Sequence, residues 1–588
     1  MIFFVYSRMM NGNLDLIQER VDDIPFLIGV MQHLNLPQLL DKHIGNHGHH
    51  QGWSNGELAT VWISYILSEA DHRKSVVQEW ADRHRLTLER CIGKPFRSVE
   101  FSDDRLGILL RRLSRQEKWT ELEGDLWESS VLVYDLEVNR IRLDSTTSYG
   151  YHSVGEDGLM QLGHSKDRRP DLPQLKLMAA CADPHGHWLA SEVYPGNRAD
   201  DGLYVPMIRR VQEMLKRKGL LYIGDSKMSA LQTRAYLADR GDYYLTPLAE
   251  VGGNAADLAE WVSAIVDGEK PATLIWQDSP TEDASPTLAG AGYEVERMQS
   301  TRIDDREIHW NERVLIIRSY QLAEQQDRGL EERLKAAEAA LLQLTPGKGK
   351  KVYESEAALK EAADKILAHY KVEDLLIYQT GKQEALHQTY QTRGRPARKA
   401  AGETERVIRY QVSAVERNEA AIIKAKHRHG WRAWVTNCPA DQLPFAEAYL
   451  TYREGWLMER GFHLVKDKPV GIRPLHVRDD DQIRGLTYLL TIALRVMSLI
   501  EIQVRKGIAQ SHEPINGLYP GQPQRITERP TAKRLLQAMA RAEINLTRIH
   551  IGNQTQWHLT PLPQWFRNVL TYLKLSEATY ARLIDNSI

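Results

Sequence analysis

Residues 128–247 limit what this 588-residue chain can fold into more than any other stretch. Runs of strand length and apolar texture lie at 131–136, 140–143, 175–182, 187–194, 220–224 and 243–246. The first two read as one broken strand ending at Asp144. Asp183-Pro-His-Gly between the next two is a hairpin turn by composition. Asp200 and Asp201 cap a helix striped by Val205, Ile208 and Val211 or Leu215, which Gly219 closes. A second helix runs to about residue 238, before the last strand. The succession is strand, strand, strand, helix, strand, helix, strand. It belongs to the α/β class, with Asp144 ending the first strand and Asp225 the fourth.

A second constraint sits far downstream, at 451–473 (TYREGWLMERGFHLVKDKPVGIR). As one helix, it places Tyr452, Trp456, Glu459, Phe462 or His463, and Lys466 on a single face of a 3.6-residue period. Glu454, five residues before Glu459, faces elsewhere, so Glu459 is the acid positioned for chemistry.

On these residues the chain resembles the Asp-Asp-Glu (DDE) transposases of bacterial insertion sequences. Tyr452, Glu459 and Lys466 match three points of the Tyr–Arg–Glu–Lys signature around that family's third acid. YRxxWxxERxF, after a long interruption, resembles the branch with a large insertion before that acid. Gly455 stands where the signature has Arg, and Arg453 is the nearest substitute. LDSTT, GHSKDRRPDLPQ, YPGN and YIGDSKM add to the resemblance. It extends from ERVDDIP and FSDDRLG near the start to RPTAKRLLQAM near the end.

The resemblance implies a ribonuclease H-like core, a mixed sheet flanked by helices whose first and fourth strands adjoin. Asp144, Asp225 and Glu459 would then be the catalytic residues and the ligands of two Mg²⁺ ions, with Mn²⁺ as substitute. Such a site hydrolyses the end of the element to free a 3′-OH, which then attacks target DNA without ATP. The implied partners are terminal inverted repeats, target DNA and further copies of the chain, a dimer on paired ends. Tyr452, Arg453 and Lys466, with Lys166, Arg168 and Arg169 of the GHSKDRRPDLPQ loop, are candidate DNA-phosphate contacts; the alternative for the loop cations is that they only brace their own loop. Two other readings stay open: a metal-dependent nuclease or resolvase on the same fold, and a transposase-derived protein that binds DNA without cutting it.

The expected domains are a helical 1–125, core segments 126–247 and 431–505, an insertion 248–430, and a basic 506–588. In the first, Ser54 and Glu57 form a capping box, and Arg111, Arg112 and Arg115 are either a solvated face or a phosphate contact. His43, His47, His49 and His50 read as a polar loop, because no ordered ligand spacing links them. The insertion is expected to hold strands at 273–276, 293–298 and 308–320, then two helices flanking PGKGKK. That turn lacks the frame of a phosphate-binding loop. A basic run from Arg393 to Arg428 and a basic tail from Arg525 to Arg548 are candidate DNA or partner surfaces.

Net charge near −2 gives no global attraction to nucleic acid, so any DNA contact rests on local basic surface. The three cysteines, Cys91, Cys181 and Cys438, lie far apart, which argues against a disulfide framework or a Cys-rich zinc site. MIFFVY is too short for a signal segment, and the apolar run 486–504 contains Arg495 and Glu501, so it reads as a core helix. A cytoplasmic location is expected.

Overall fold

The structure is a computed structural model describing residues 14–46, 51–278, 285–303, 305–345, 352–389, 403–552 and 554–585. It comprises two compact units. One is Met1–Thr246, Gln299–Trp310 and Thr451–Ile588; the other is Pro247–Met298 and Asn311–Leu450.

The first unit is built on five strands: β1 (Arg140–Tyr149), β2 (Gln174–Asp183), β3 (His187–Pro195), β4 (Leu221–Gly224) and β5 (Tyr243–Pro247). Their order across the sheet is β3-β2-β1-β4-β5. The β1–β2 and β2–β3 pairs are antiparallel, whereas β4 runs parallel to β1 and β5 parallel to β4. Every residue of β2 is buried, which explains why QLKLMAACAD is a near-continuous apolar run instead of an alternation.

Helices α1 (Gln116–Tyr134) and α2 (Tyr204–Leu215) pack on β3. The short α3 (Leu231–Asp239) joins β4 to β5. Helix α4 (Trp456–Lys466) packs on β1, and the long α5 (Asp480–Ser511) covers β3. Among the described residues α5 alone is long and apolar enough to cross a membrane, and 89% of its apolar window is buried within the chain.

Three expectations for this unit are corrected. Residues 131–136 are not strand: α1 runs to Tyr134, because Trp119, Leu122, Leu126, Ser130 and Tyr134 form one buried helical stripe that outweighs the β-branched Val131 and Val133. Asp144 is therefore inside β1, which continues to Tyr149 and pairs with β2 throughout. The N-terminal region is also not all helix. Leu14–Arg20 is a strand paired antiparallel with Asn545–Ile551, a partner more than 500 residues away that no local pattern could show.

In the second unit, Trp431–Thr436 pairs antiparallel with Arg313–Arg318, and Thr273–Gln277 pairs antiparallel with Thr287–Gly292. Helices Tyr320–Leu342 and Glu356–Tyr370 enclose Leu330, Leu334, Leu341 and Leu367. Leu376 joins that core from a long hairpin, Leu376–Thr389 with Glu403–Arg417. This hairpin and a helix at Gly253–Val266 were not expected, since the charged side chains of 403–417 mask the strand pattern. PGKGKK, His47, His49, His50, MIFFVY and the arginines at 393, 395 and 398 lie outside the described residues.

Candidate functional site

Strand pairing creates the site. In the parallel β1–β4 pair Leu143 is opposite Gly224, so the next residues, Asp144 and Asp225, emerge side by side. Asp144 accepts through Oδ1 from its neighbour's amide, Ser145 N, at 2.7 Å and from Lys166 Nζ at 3.2 Å. Asp225 accepts through Oδ1 from Tyr204 Oη at 2.5 Å and Lys227 N at 2.9 Å. Among the described residues neither Oδ2 has a hydrogen-bond partner. Burial raises the Asp144 pKa and the Asp225 charge adds to the rise, against the pull of Lys166. The carboxyl still keeps 31% of its side-chain surface exposed.

Further polar groups fix this pair, and two of them, Lys176 and Tyr204, carry no role in the sequence reading. Asp200 does not cap its helix. It accepts from Ser145 Oγ at 3.0 Å and from Lys176 Nζ at 2.6 Å. Burial works to raise its pKa, yet the Lys176 hydrogen bond and the Lys166 charge hold it below the usual range. Tyr204 is buried, and burial followed by the charges of Asp225 and Asp144 holds its hydroxyl protonated. A Cβ at Gly224 would lie 3.1 Å from the Tyr204 ring and 2.7 Å from Met228 Sδ, so only glycine lets that tyrosine reach Asp225. A lone lysine in the otherwise apolar LKLMAACA run was the available signal for Lys176.

Three stretches singled out in the sequence interlock beside the acids. Gln174 Nε2 donates to His164 O at 2.9 Å, and a Cβ at Gly196 would stand 2.0 Å from Gln174 O. The loop thus held presents Lys166 to Asp144, while Asp167 takes Lys466 at 2.7 Å and Arg473 at 3.5 Å. Burial lowers the Lys466 pKa despite that partner. Arg169 pairs with Asp171 at 2.7 Å and lies over the Tyr149 ring at 5.4 Å, and exposed Arg168 sits at a positive φ of 58°. Nearby, His152 Nε2 meets Val477 O at 2.9 Å, and His187 Nδ1, at the start of β3, meets Ser498 Oγ at 2.7 Å.

The single helix expected over 451–466 is broken. Phe445–Arg453 ends at Tyr452 and Arg453, and α4 begins at Trp456. Between them Glu454 N donates to Thr451 O and Gly455 N to Tyr452 O, tighter i to i+3 bonds that interrupt the helix between Tyr452 and Glu459. Arg142, two residues before Asp144 on the same strand face, donates to Thr451 O at 2.5 Å and pairs with Asp183 at 2.8 Å. The chain entering α4 is therefore pinned to the strand face that carries Asp144. Glu459 itself is exposed, and its carboxylate makes no hydrogen bond or ion pair among the described residues. No three His, Cys, Asp or Glu side chains among those residues converge closely enough to share a metal ion. The structure brings Asp144 and Asp225 together and leaves Glu459 apart.

No protein-family model matches the chain, and no curated protein matches it. Among solved structures it is similar to a piggyBac transposase synaptic complex with hairpin DNA, determined by cryo-EM. The match covers 97% of this chain and 87% of that one, at 7% identity and a TM-score of 0.35. A likeness of that size carries no weight for fold or activity, which must be read from the geometry above.

Proposed function

We propose that the chain is a DNA-cleaving and strand-joining enzyme of the DDE transposase kind, with Asp144, Asp225 and Glu459 as its acids. One observation carries this reading: two carboxylates on adjoining parallel strands each spend one oxygen on the protein and leave the other open. The order β3-β2-β1-β4-β5 and its mixture of directions support a ribonuclease H-like core.

The donor set fits magnesium. It is all oxygen and contributes few ligands, which suits an ion that retains positions for water and phosphate. When bound, magnesium supplies Lewis acidity that activates water and steadies the departing oxygen of a phosphodiester. The protein's own groups do the positioning. Tyr204 orients Asp225, and Lys176 draws Asp200 aside so that it does not crowd Asp144. Lys166 and Lys466, now held by Asp144 and Asp167, exchange those partners for DNA phosphates. That exchange releases α4 to bring Glu459 toward the pair.

The position of Glu459 favours a second reading, a protein that binds DNA without cutting it. Incubation with DNA carrying the repeats that flank its gene, with Mg²⁺ or Mn²⁺, separates the two. Nicks at the element ends and joined products are expected from wild type. Asp144→Asn and Asp225→Asn are expected to bind the same DNA but to lose at least about a hundredfold in cleavage, more than loss of an outer-shell partner costs. Nicks without joined products would leave a nuclease. Wild type that binds and never nicks would leave the binding protein.

A further inference from the structure

A polar cavity of about 470 Å³ opens in the first unit between residues 65–83 and 468–476. Its acids already have partners. Asp71 takes the guanidinium of Arg73 through both oxygens at 2.7–3.0 Å, and Glu69 accepts from Trp80 Nε1 at 3.2 Å. Two of its cations do not: Arg83 and Lys468 are exposed, and their charged ends make no hydrogen bond or ion pair among the described residues. His72 also lines the cavity, 5% exposed, with Nε2 lacking a hydrogen bond and the His476 ring 5.5 Å away.

The cavity connects with the acid pair through charge. Arg473 in its wall reaches Asp167 at 3.5 Å and lies 5.2 Å from the Tyr149 ring centre. Asp167 holds Lys466, and its neighbour Lys166 holds Asp144. Lys166, Lys466 and Arg473, each paired with an acid, thus link the acid pair to the cavity wall. The polar lining does not suit an apolar ligand. Unpaired cations lining a polar cavity suit a phosphate.

We propose that this cavity is a phosphate subsite, in which Arg83 and Lys468 hold a backbone phosphate of the DNA that crosses the acid pair. The assignment of DNA as the source rests on the function proposed above; the affinity for phosphate does not.

Two arms test it, using the full chain, Arg83→Ala, Lys468→Ala, the double variant, and Lys335→Ala as a control on an exposed lysine of the second unit. In the first, binding to a duplex carrying the flanking repeats is followed across salt concentrations. Each pocket substitution is expected to lower the slope of log K against log salt by about 0.9, the double variant by about twice that, and the control not at all. In the second, inorganic pyrophosphate is titrated calorimetrically, and the double variant is expected to lose its heat of binding. Unchanged slopes and unchanged pyrophosphate binding overturn the subsite while leaving the acid-pair reading intact. If wild type ignores the duplex, the DNA reading fails by itself. Pyrophosphate binding lost in the double variant then supports a site for free phosphate, and binding unchanged overturns it.

Discussion

Glu123 and Asp144 are both carboxylates beside the same sheet, and both face cations, but their partners differ in number and kind. Glu123 on α1 is wholly buried between the guanidinium groups of Arg210 on α2 and Arg495 on α5, and it also accepts from Ser191 Oγ of β3 at 2.8 Å. Arg495 Nε in turn donates to Trp188 O at 3.0 Å, and Arg210 Nη1 to Ser191 O at 3.2 Å. That cluster ties three helices to one strand. Asp144 has a single flexible lysine, its neighbour's amide, and a second acid beside it. A saturated carboxylate holds elements together, whereas an unsaturated one beside a like charge is left receptive to another cation.

The largest effect should come from opening the saturated cluster. Glu123→Ala strands two buried guanidinium groups, and the expected loss is roughly 3–5 kcal/mol, read as a lower urea midpoint. Replacing all three together, Glu123→Leu with Arg210→Met and Arg495→Met, should recover most of that loss, because apolar packing substitutes for a buried ion cluster. A loss under about 1 kcal/mol for Glu123→Ala would break the contrast, since an exposed pair behaves that way.

The unsaturated site should respond in the opposite direction. Burial and Asp225 raise the Asp144 pKa above its usual 3.8. As pH climbs from 3.8 through that raised value, the folded chain holds a proton the unfolded chain has released, so stability falls and stays lower above the window. Asp144→Asn removes this cost. Its melting temperature should exceed wild type by about 1–2 °C at pH 7 and by less at pH 4, even as cleavage disappears. A melting temperature below wild type at pH 7 would mean that the Lys166 bond outweighs the crowding of the two acids.

What the sequence could reveal follows the same division. The sheet around Asp144 and Asp225 was legible because β2, the partner of β1, is almost wholly apolar and β4 is a short apolar run before an acid. Their adjacency came only through the family resemblance, because strand order is set by pairing and not by succession. Glu459 was legible as an acid on a helix. Its separation from the pair was not, because the helix is interrupted at Glu454-Gly455 without any change in its apolar spacing. Tyr204 and Asp200 were hidden for another reason: both look like ordinary residues at the start of a helix until the sheet places β4 and Lys176 beside them.

The smallest effect belongs to a buried group that is unsaturated and neutral. Burial, then the charge of His476, lowers the His72 pKa from 6.5 to about 4, although Asp71 and the nearby carbonyls of Gly471 and Pro474 favour the charged form. Because the folded value is the lower one, stability is full above pH 6.5 and drains away as pH falls toward 4, where the unfolded chain gains a proton that the folded chain refuses. His72→Gln should flatten that limb without removing it, since buried His84 and His187 are lowered as well, to about 4 and about 3. Urea midpoints at pH 6.5 and pH 4.5 measure the difference: the variant should lose less between them than wild type does. An equal loss in both would show that His72 takes its proton while folded, and that its environment is closer to the receptive state of Asp144 than to the sealed state of Glu123.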